Sequence, residues 1–358
     1  MRWGTIILLS VNWGNKYNMK KLKRIREWTT IPGNFQPGAY NSITDVPGVT
    51  VGQVTIKTND ARTGVTIISP TADDIFLHPI PAAVAVGNGF GKLVGALQVE
   101  ELGEIESLIG LTNTLSVAAV LQGLINYHVP KMPEGRNSIN IVVGETNDSR
   151  LNDIRGCHVT PKHVAKAIAA LSKDVEEGSV GAGAGTTCFG FKGGIGTASR
   201  IIPGAVSGEE NDYIVGTLVQ SNYGGNLSVY GKNIPKPQIV SQDGSCMIVI
   251  LTNAPISPLH LKRVAKRGLI GMTNTGSYMS HGSGDFAIAA SNYEKNRHVG
   301  KTAKQGCSYY FLDNSQLNPF FEATAEAVQE ALYNSLTMAY GAEKNGIFYP
   351  GFNFAEYL

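Results

Sequence analysis

The chain has 358 residues, 42% hydrophobic and 16% charged, with a formal net charge of +2. That length builds one large domain or two ordinary ones, and so small a net charge argues against a nucleic-acid partner, which needs a basic face. No stretch reaches the roughly 18 apolar residues of a membrane span, and the run Ile6–Val11 is short for a signal-peptide core and lacks a small-x-small cleavage site.

Residues 1–18 read as an N-terminal extension, with Met19 as an alternative start, and Lys20–Arg26 as a solvated basic arm. Val49–Ile56 and Gly64–Ile68 flank the polar loop Lys57–Thr63 and predict a hairpin. Ala82–Val86 is an apolar strand running into the turn Gly87-Asn88-Gly89. Leu115–Tyr127 has helical spacing of Val117, Val120, Leu121 and Leu124. Ser138–Val143 reads as a buried strand, and Pro161–Leu171 as a helix with Thr160 at its N-cap and Pro161 at its first position. Glycine-rich Val180–Ile202 holds two strands, Tyr213–Ser221 another, and Lys232–Gln242, with Pro235 and Pro237, reads as a linker. Ser245–Leu251 is strongly β-prone. In Pro258–Ile270, Leu261, Val264, Ala265 and Leu269 can face a core while Lys262, Arg263, Lys266 and Arg267 face solvent. Asp285–Ala290 is the last strand, and Pro319–Tyr340 a long helix striped by Phe320, Ala323, Val328, Ala331, Leu332 and Leu336. Strands and helices do not alternate regularly, which predicts an α+β layered sandwich with sheets inside and helices outside. The 42 glycines fit tight turns and close backbone approach in a sheet-rich core.

Most chemical motifs fail. Gly87-Asn-Gly-Phe-Gly-Lys92 has the wrong spacing for a phosphate loop, with Leu93 where a magnesium-binding Ser or Thr belongs, and reads as a structural turn. Gly181–Gly185 and Gly190–Gly196 miss the dinucleotide fingerprint. No histidine pair has metal-ligand spacing, and Cys157, Cys188, Cys246 and Cys307 form neither a CxxC pair nor a disulfide framework. That cysteine usage fits a reducing, cytoplasmic setting. No Gly-x-Ser-x-Gly elbow is present. His281-Gly-Ser-Gly-Asp285 and Asp243-Gly244-Ser245 read, by spacing alone, as polar turns before strands, and His281 as a turn residue.

The Gly244-Ser245 bond nevertheless permits a specific reaction. A serine hydroxyl can attack its own preceding carbonyl through a five-membered ring. Glycine permits a strained backbone and leaves that carbonyl open. Hydrolysis of the resulting ester leaves Ser245 as a new N-terminus. Its α-amine, with an ordinary pKa of about 7.7–8.0, can then serve as base beside the hydroxyl.

Several further segments occur in order: Asn41–Gly52, Gln98–Gly103, Leu111–Val117, Val143-Gly-Glu-Thr-Asn-Asp148 with Leu151–Ile154, Gly178–Gly183, Cys188–Thr197, Leu218-Val-Gln-Ser-Asn-Tyr-Gly224 and the block Gly244–Asp285. With these the chain resembles the self-processing L-aminopeptidase D-amidase/D-esterase family, which includes the β-aminopeptidases, from about Arg24 to Tyr349-Pro-Gly-Phe352. The resemblance implies an αββα sandwich made as a precursor, cut into an α chain (19–244) and a β chain (245–358) that share one fold. It implies no metal or cofactor, a homo-oligomer of αβ units, and short peptides or amino-acid amides or esters as substrates. By the same resemblance Ser245 is the nucleophile, Ser283 and Asp285 assist it, Asn222 donates to the oxyanion, and Glu145 holds the substrate's amino group. Relatives often carry Glu where this chain has Asp285, one methylene shorter, and an aromatic residue where it has Arg150. The rival readings are an acyltransferase of the same architecture, like the ornithine acetyltransferases, which use threonine as nucleophile, and a non-enzymatic binding protein.

Overall fold

The computed structural model describes residues 22–208, 210–237, 244–296 and 309–357. The expected extension 1–18, Cys307, Asp243 and the end of the Lys232–Gln242 stretch lie outside the described residues.

In chain order the first half comprises β1 (Thr50–Lys57), β2 (Arg62–Ser69), β3 (Ile80–Gly89), β4 (Leu93–Val94), α1 (Ala96–Leu102), β5 (Glu104–Ile105), β6 (Ile109–Asn113), α2 (Val117–His128), β7 (Val142–Thr146) and α3 (Pro161–Ala169). The second half comprises β8 (Thr187–Cys188), β9 (Phe191–Lys192), β10 (Gly194–Ile202), α4 (Gly204–Ser207), β11 (Tyr213–Asn222), β12 (Ser228–Val229), β13 (Lys232–Asn233), β14 (Ser245–Thr252), α5 (Pro258–Asn274), β15 (Gly284–Ser291), α6 (Asn318–Thr337), β16 (Ala342–Lys344) and β17 (Ile347–Tyr349).

Two sheets carry the architecture. One runs β1-β2-β6-β7-β4 and the other β10-β11-β14-β15-β3-β5. Helices α2 and α3 cover the first, α5 and α6 the second, so the layers are α, β, β, α. The two-residue period of a strand divides its side chains between two cores. In β14, Cys246, Ile248 and Ile250 enter the helix-side core, while Met247, Val249 and Leu251 enter the core between the sheets. Between the sheets the Nε2 of buried Gln220 on β11 lies within hydrogen-bond distance of Thr112 O (3.0 Å), Thr146 Oγ1 (2.8 Å) and Ala182 O (2.9 Å), and its two N–H groups, shared among them, tie one sheet to the other. On the outside α5 and α6 pack closely at Gly271, where a Cβ would press on the Ala325 carbonyl at 2.6 Å.

Several expectations change: β16 and β17 follow the strand expected to be last, and Val180–Ile202 holds three strands rather than two. Gly87–Gly89 is no turn: it continues β3, because Gly89 pairs with Gly284 and Asn88 with Asp285 on β15. The strand expected at Ser138–Val143 is displaced to β7, held by parallel pairing with β6, an element absent from the sequence reading. The arm at Lys20–Arg26 is anchored where it is described: Arg24 Nε meets Glu177 at 2.7 Å and Arg26 Nε meets Glu330 at 2.6 Å. Those carboxylates are buried and need cationic partners.

Candidate active site

Ser245 opens β14 between two neighbours. Asn222 lies opposite it on antiparallel β11 and Gly284 beside it on parallel β15. By the alternation along β14, its side chain emerges on the face between the sheets, at their mouth. There it lines a cleft of about 410 Å³ with Phe90, Lys92, Glu145, Arg150, Asn222 and His281.

The Ser245 hydroxyl donates to the carbonyl oxygen of Gly244 at 2.6 Å. The same oxygen accepts the Gly284 N–H at 3.2 Å. Gly244 itself lies flat on the end of β11, where a Cβ would overlap the Asn222 carbonyl oxygen and the Tyr223 Cα. Only glycine therefore fits before this serine without moving β11.

Asn222 is held from both ends of its amide. Its Oδ1 accepts the Thr187 N–H at 3.1 Å, and its Nδ2 donates to the Asn147 carbonyl at 2.8 Å. The amide thus faces the cleft in one orientation, with a second Nδ2 hydrogen beyond the Asn147 bond.

Ser283 and Asp285 sit deeper. Both are buried, and the Ser283 hydroxyl donates to Asp285 Oδ1 at 2.9 Å. Asp285 pairs in register with Cys246, on the far side of the strand from the Ser245 hydroxyl. Among the described residues no hydrogen bond joins the Ser245–Gly244 pair to the Ser283–Asp285 pair. Burial pushes the Asp285 carboxyl up to about 6, against the pull of the Ser283 hydroxyl and the Cys246 amide. Its Oδ2 is buried and accepts no hydrogen bond.

Glu145, on β7, forms the opposite wall. It is 3% exposed; its Oε1 accepts the Lys92 N–H at 3.0 Å and its Oε2 the Thr114 hydroxyl. Lys92 Nζ lies 3.6 Å from the same carboxylate. Arg150, expected only as a departure from relatives, lines the cleft and donates Nη1 to Thr187 Oγ1 at 2.9 Å. Sequence reasoning missed Lys92, Thr114 and Asn147. Lys92 ended a discarded phosphate-loop candidate, and nothing local to it signals that β3 and β4 would carry it against β7. Among the described residues no group of His, Cys, Asp or Glu is placed to hold a metal ion, and no helix is long and apolar enough to cross a membrane.

Residues 41–346 match peptidase family S58. The beta-peptidyl aminopeptidase BapA of Sphingosinicella microcystinivorans is 36% identical over 341 residues, covering 86% of this chain and 84% of that protein. Among solved structures, a beta-aminopeptidase of Burkholderia sp. superposes with a TM-score of 0.85 at 36% identity, over 93% of this chain and 96% of its own. The L-aminopeptidase D-Ala-esterase/amidase of Ochrobactrum anthropi, a serine aminopeptidase with a variant of the Ntn hydrolase fold, superposes with a TM-score of 0.84 at 29% identity, over 93% of this chain and 98% of its own.

Proposed function

The chain belongs to peptidase family S58, and from that premise we propose that it cuts its own Gly244–Ser245 bond and then works through the freed Ser245. It is a hydrolase, a serine aminopeptidase/amidase acting on peptide or amide substrates. The observation that carries the self-cleavage is the 2.6 Å contact between the Ser245 hydroxyl and the carbonyl oxygen before it.

In the first reaction Ser245 Oγ bonds to the Gly244 carbonyl carbon. The Gly284 N–H, already on that carbonyl oxygen, stabilises the charge it gains. The C–N bond breaks, the nitrogen takes the hydroxyl proton, and an ester joins Gly244 to Ser245. Water hydrolyses the ester, leaving a Gly244 carboxylate and a Ser245 amine. The cut leaves an α chain that ends at Gly244 and a β chain that spans 245–358. The new amine offers an N–H donor to the buried Asp285 Oδ2, which accepts no hydrogen bond in the uncut chain.

In the second reaction Glu145 receives the substrate's ammonium and sets the scissile carbonyl against Ser245. Asn222 Nδ2 donates to the oxyanion, a contribution of typically about 3–4 kcal/mol of barrier. The hydroxyl proton passes by way of the Ser245 amine to the leaving group, with Ser283 and Asp285 holding that amine in place. Water then releases the acyl group from Ser245. The free thiols Cys157, Cys188 and Cys246 suit a reducing, cytoplasmic setting. Hydrolysis of an aminoacyl p-nitroanilide by the wild type and its loss in Ser245→Ala tests this reading. Equal activity in the variant would refute it, and acyl transfer to an added amine in place of water would favour an acyltransferase.

A further inference from the structure

The end of β3 grips the loop that leads into β15. Asn88 pairs with Asp285 and Val86 with Phe286, so Gly87 is an extra residue between the two pairs. A bulge of this kind re-aims the side chains beside it. The Asn88 Nδ2 lies within hydrogen-bond distance of three carbonyl oxygens of that loop: Ser280 (3.1 Å), His281 (3.0 Å) and Ser283 (2.5 Å). Its two N–H groups are shared among them. Carbonyl oxygens carry like partial charge and repel, so a donor between them favours their convergence.

The Ser283 oxygen has a direct link to the reacting bond. It also accepts the Phe90 N–H at 3.2 Å, so two donors from the end of β3 hold it. The same peptide group carries the Gly284 N–H, which donates to the Gly244 carbonyl at 3.2 Å. The Ser283–Gly284 bond is trans. A trans peptide group is planar, with its C=O and N–H pointing opposite ways. Fixing the oxygen therefore aims the N–H. A hydrogen bond on the oxygen also polarises the group and strengthens its N–H as a donor. Gly284 is packed against the chain that follows β3, where a Cβ would stand 2.8 Å from the Phe90 carbonyl oxygen and 2.9 Å from the Gly91 Cα.

We infer that Asn88 is a positioning residue for self-cleavage: by holding the Ser283 carbonyl it aims the Gly284 N–H at the Gly244 carbonyl oxygen. Asn88 acts through that peptide group and not on the reacting atoms. The inference rests on the self-cleavage reading of the Gly244–Ser245 bond.

The rate at which newly made chain is cut tests it. Gels over time follow the soluble fraction of a cell-free synthesis at about pH 8, where a carboxylate is ionised. A folding defect lowers the yield of soluble chain, whereas the inferred role lowers the rate constant of the chain that is soluble. Asn88→Ala removes the donor and should be cut about 10- to 100-fold more slowly than the wild type, part of the cost of losing an oxyanion donor. Asn88→Asp keeps the shape but sets an ionised oxygen against three carbonyls, and should be cut at least as slowly. Asn88→Gln keeps the N–H groups on a longer arm and should recover part of the rate. A side chain that only filled space would leave Asn88→Asp at the wild-type rate. Cutting of either Asn88→Ala or Asn88→Asp within about threefold of the wild type overturns the inference and leaves self-cleavage standing. A wild type that stays whole overturns both.

Discussion

Asn222 and Ser245 stand directly opposite each other in the antiparallel pair of β11 and β14, with both side chains on the face between the sheets. Strand register therefore sets the separation of the proposed nucleophile and the proposed oxyanion donor. The Asn222 amide is further fixed by Thr187 and Asn147. An Asn222→Ala protein should lose roughly 100- to 1,000-fold in kcat, with KM nearly unchanged, because the bond strengthens only in the transition state. Steady-state kinetics on an aminoacyl p-nitroanilide reads this out, and a change confined to KM would reassign Asn222 to ground-state binding.

Glu145 should act on substrates through their ammonium. Glu145→Gln keeps the Lys92 N–H bond but removes the charge, so KM for a free-amine substrate should rise about 10- to 100-fold. An acyl p-nitroanilide lacking the amine should be cleaved slowly, and equally slowly, by both proteins. Equal losses on the two substrates would point to a fold defect instead.

Gly244 should be required for its lack of a side chain. Alanine there overlaps the Asn222 carbonyl, and relieving such overpacking costs about 1–3 kcal/mol. If that strain misplaces the Ser245 hydroxyl, self-cleavage slows by roughly tenfold or more. Gels of freshly made Gly244→Ala protein taken over time measure the fraction still intact. Cleavage at the wild-type rate would mean that the contact with β11 does not set the reacting geometry.

Asp285 should leave a signature in stability. Its carboxyl is raised to about 6 from an ordinary 3.8 by burial, so the folded chain holds the proton longer than the unfolded one. A raised carboxyl stabilises the fold while protonated, and that contribution is lost as pH rises from about 4 to about 6. The full change is about 3 kcal/mol. In the uncut Ser245→Ala background, adding Asp285→Asn should remove this slope. Urea unfolding of the single and double variants between pH 4 and 7 checks it, and parallel profiles would contradict it.

Local pattern made much of the frame legible. The run Ser-Cys-Met-Ile-Val-Ile-Leu is strongly β-prone and forms a buried strand, and its alternate residues feed the two cores. The apolar face of α5 buries Leu261, Val264, Ala265 and Leu269 as its spacing predicts. Where local signals mislead, pairing decides: Gly87–Gly89 looks like a turn until β15 lies beside it, and β6 exists because β2 and β7 flank it. The candidate site was harder to read. Gly244-Ser245 is an ordinary turn by spacing, and it was resemblance to a family that singled it out. Lys92, Thr114 and Asn147 reach the cleft from three separate connections, and no short-range pattern encodes that meeting.

Every role proposed for Ser245 on a substrate depends on its becoming a chain terminus. Intact mass and N-terminal sequencing of the purified, active protein examine that state. Two fragments are predicted, of about 26 and 12 kDa in proportion to the cut of a 38.2 kDa chain after Gly244, the smaller beginning Ser-Cys-Met-Ile-Val, with Ser245→Ala remaining whole. An active preparation consisting of one uncut chain would contradict the self-cleaving mechanism.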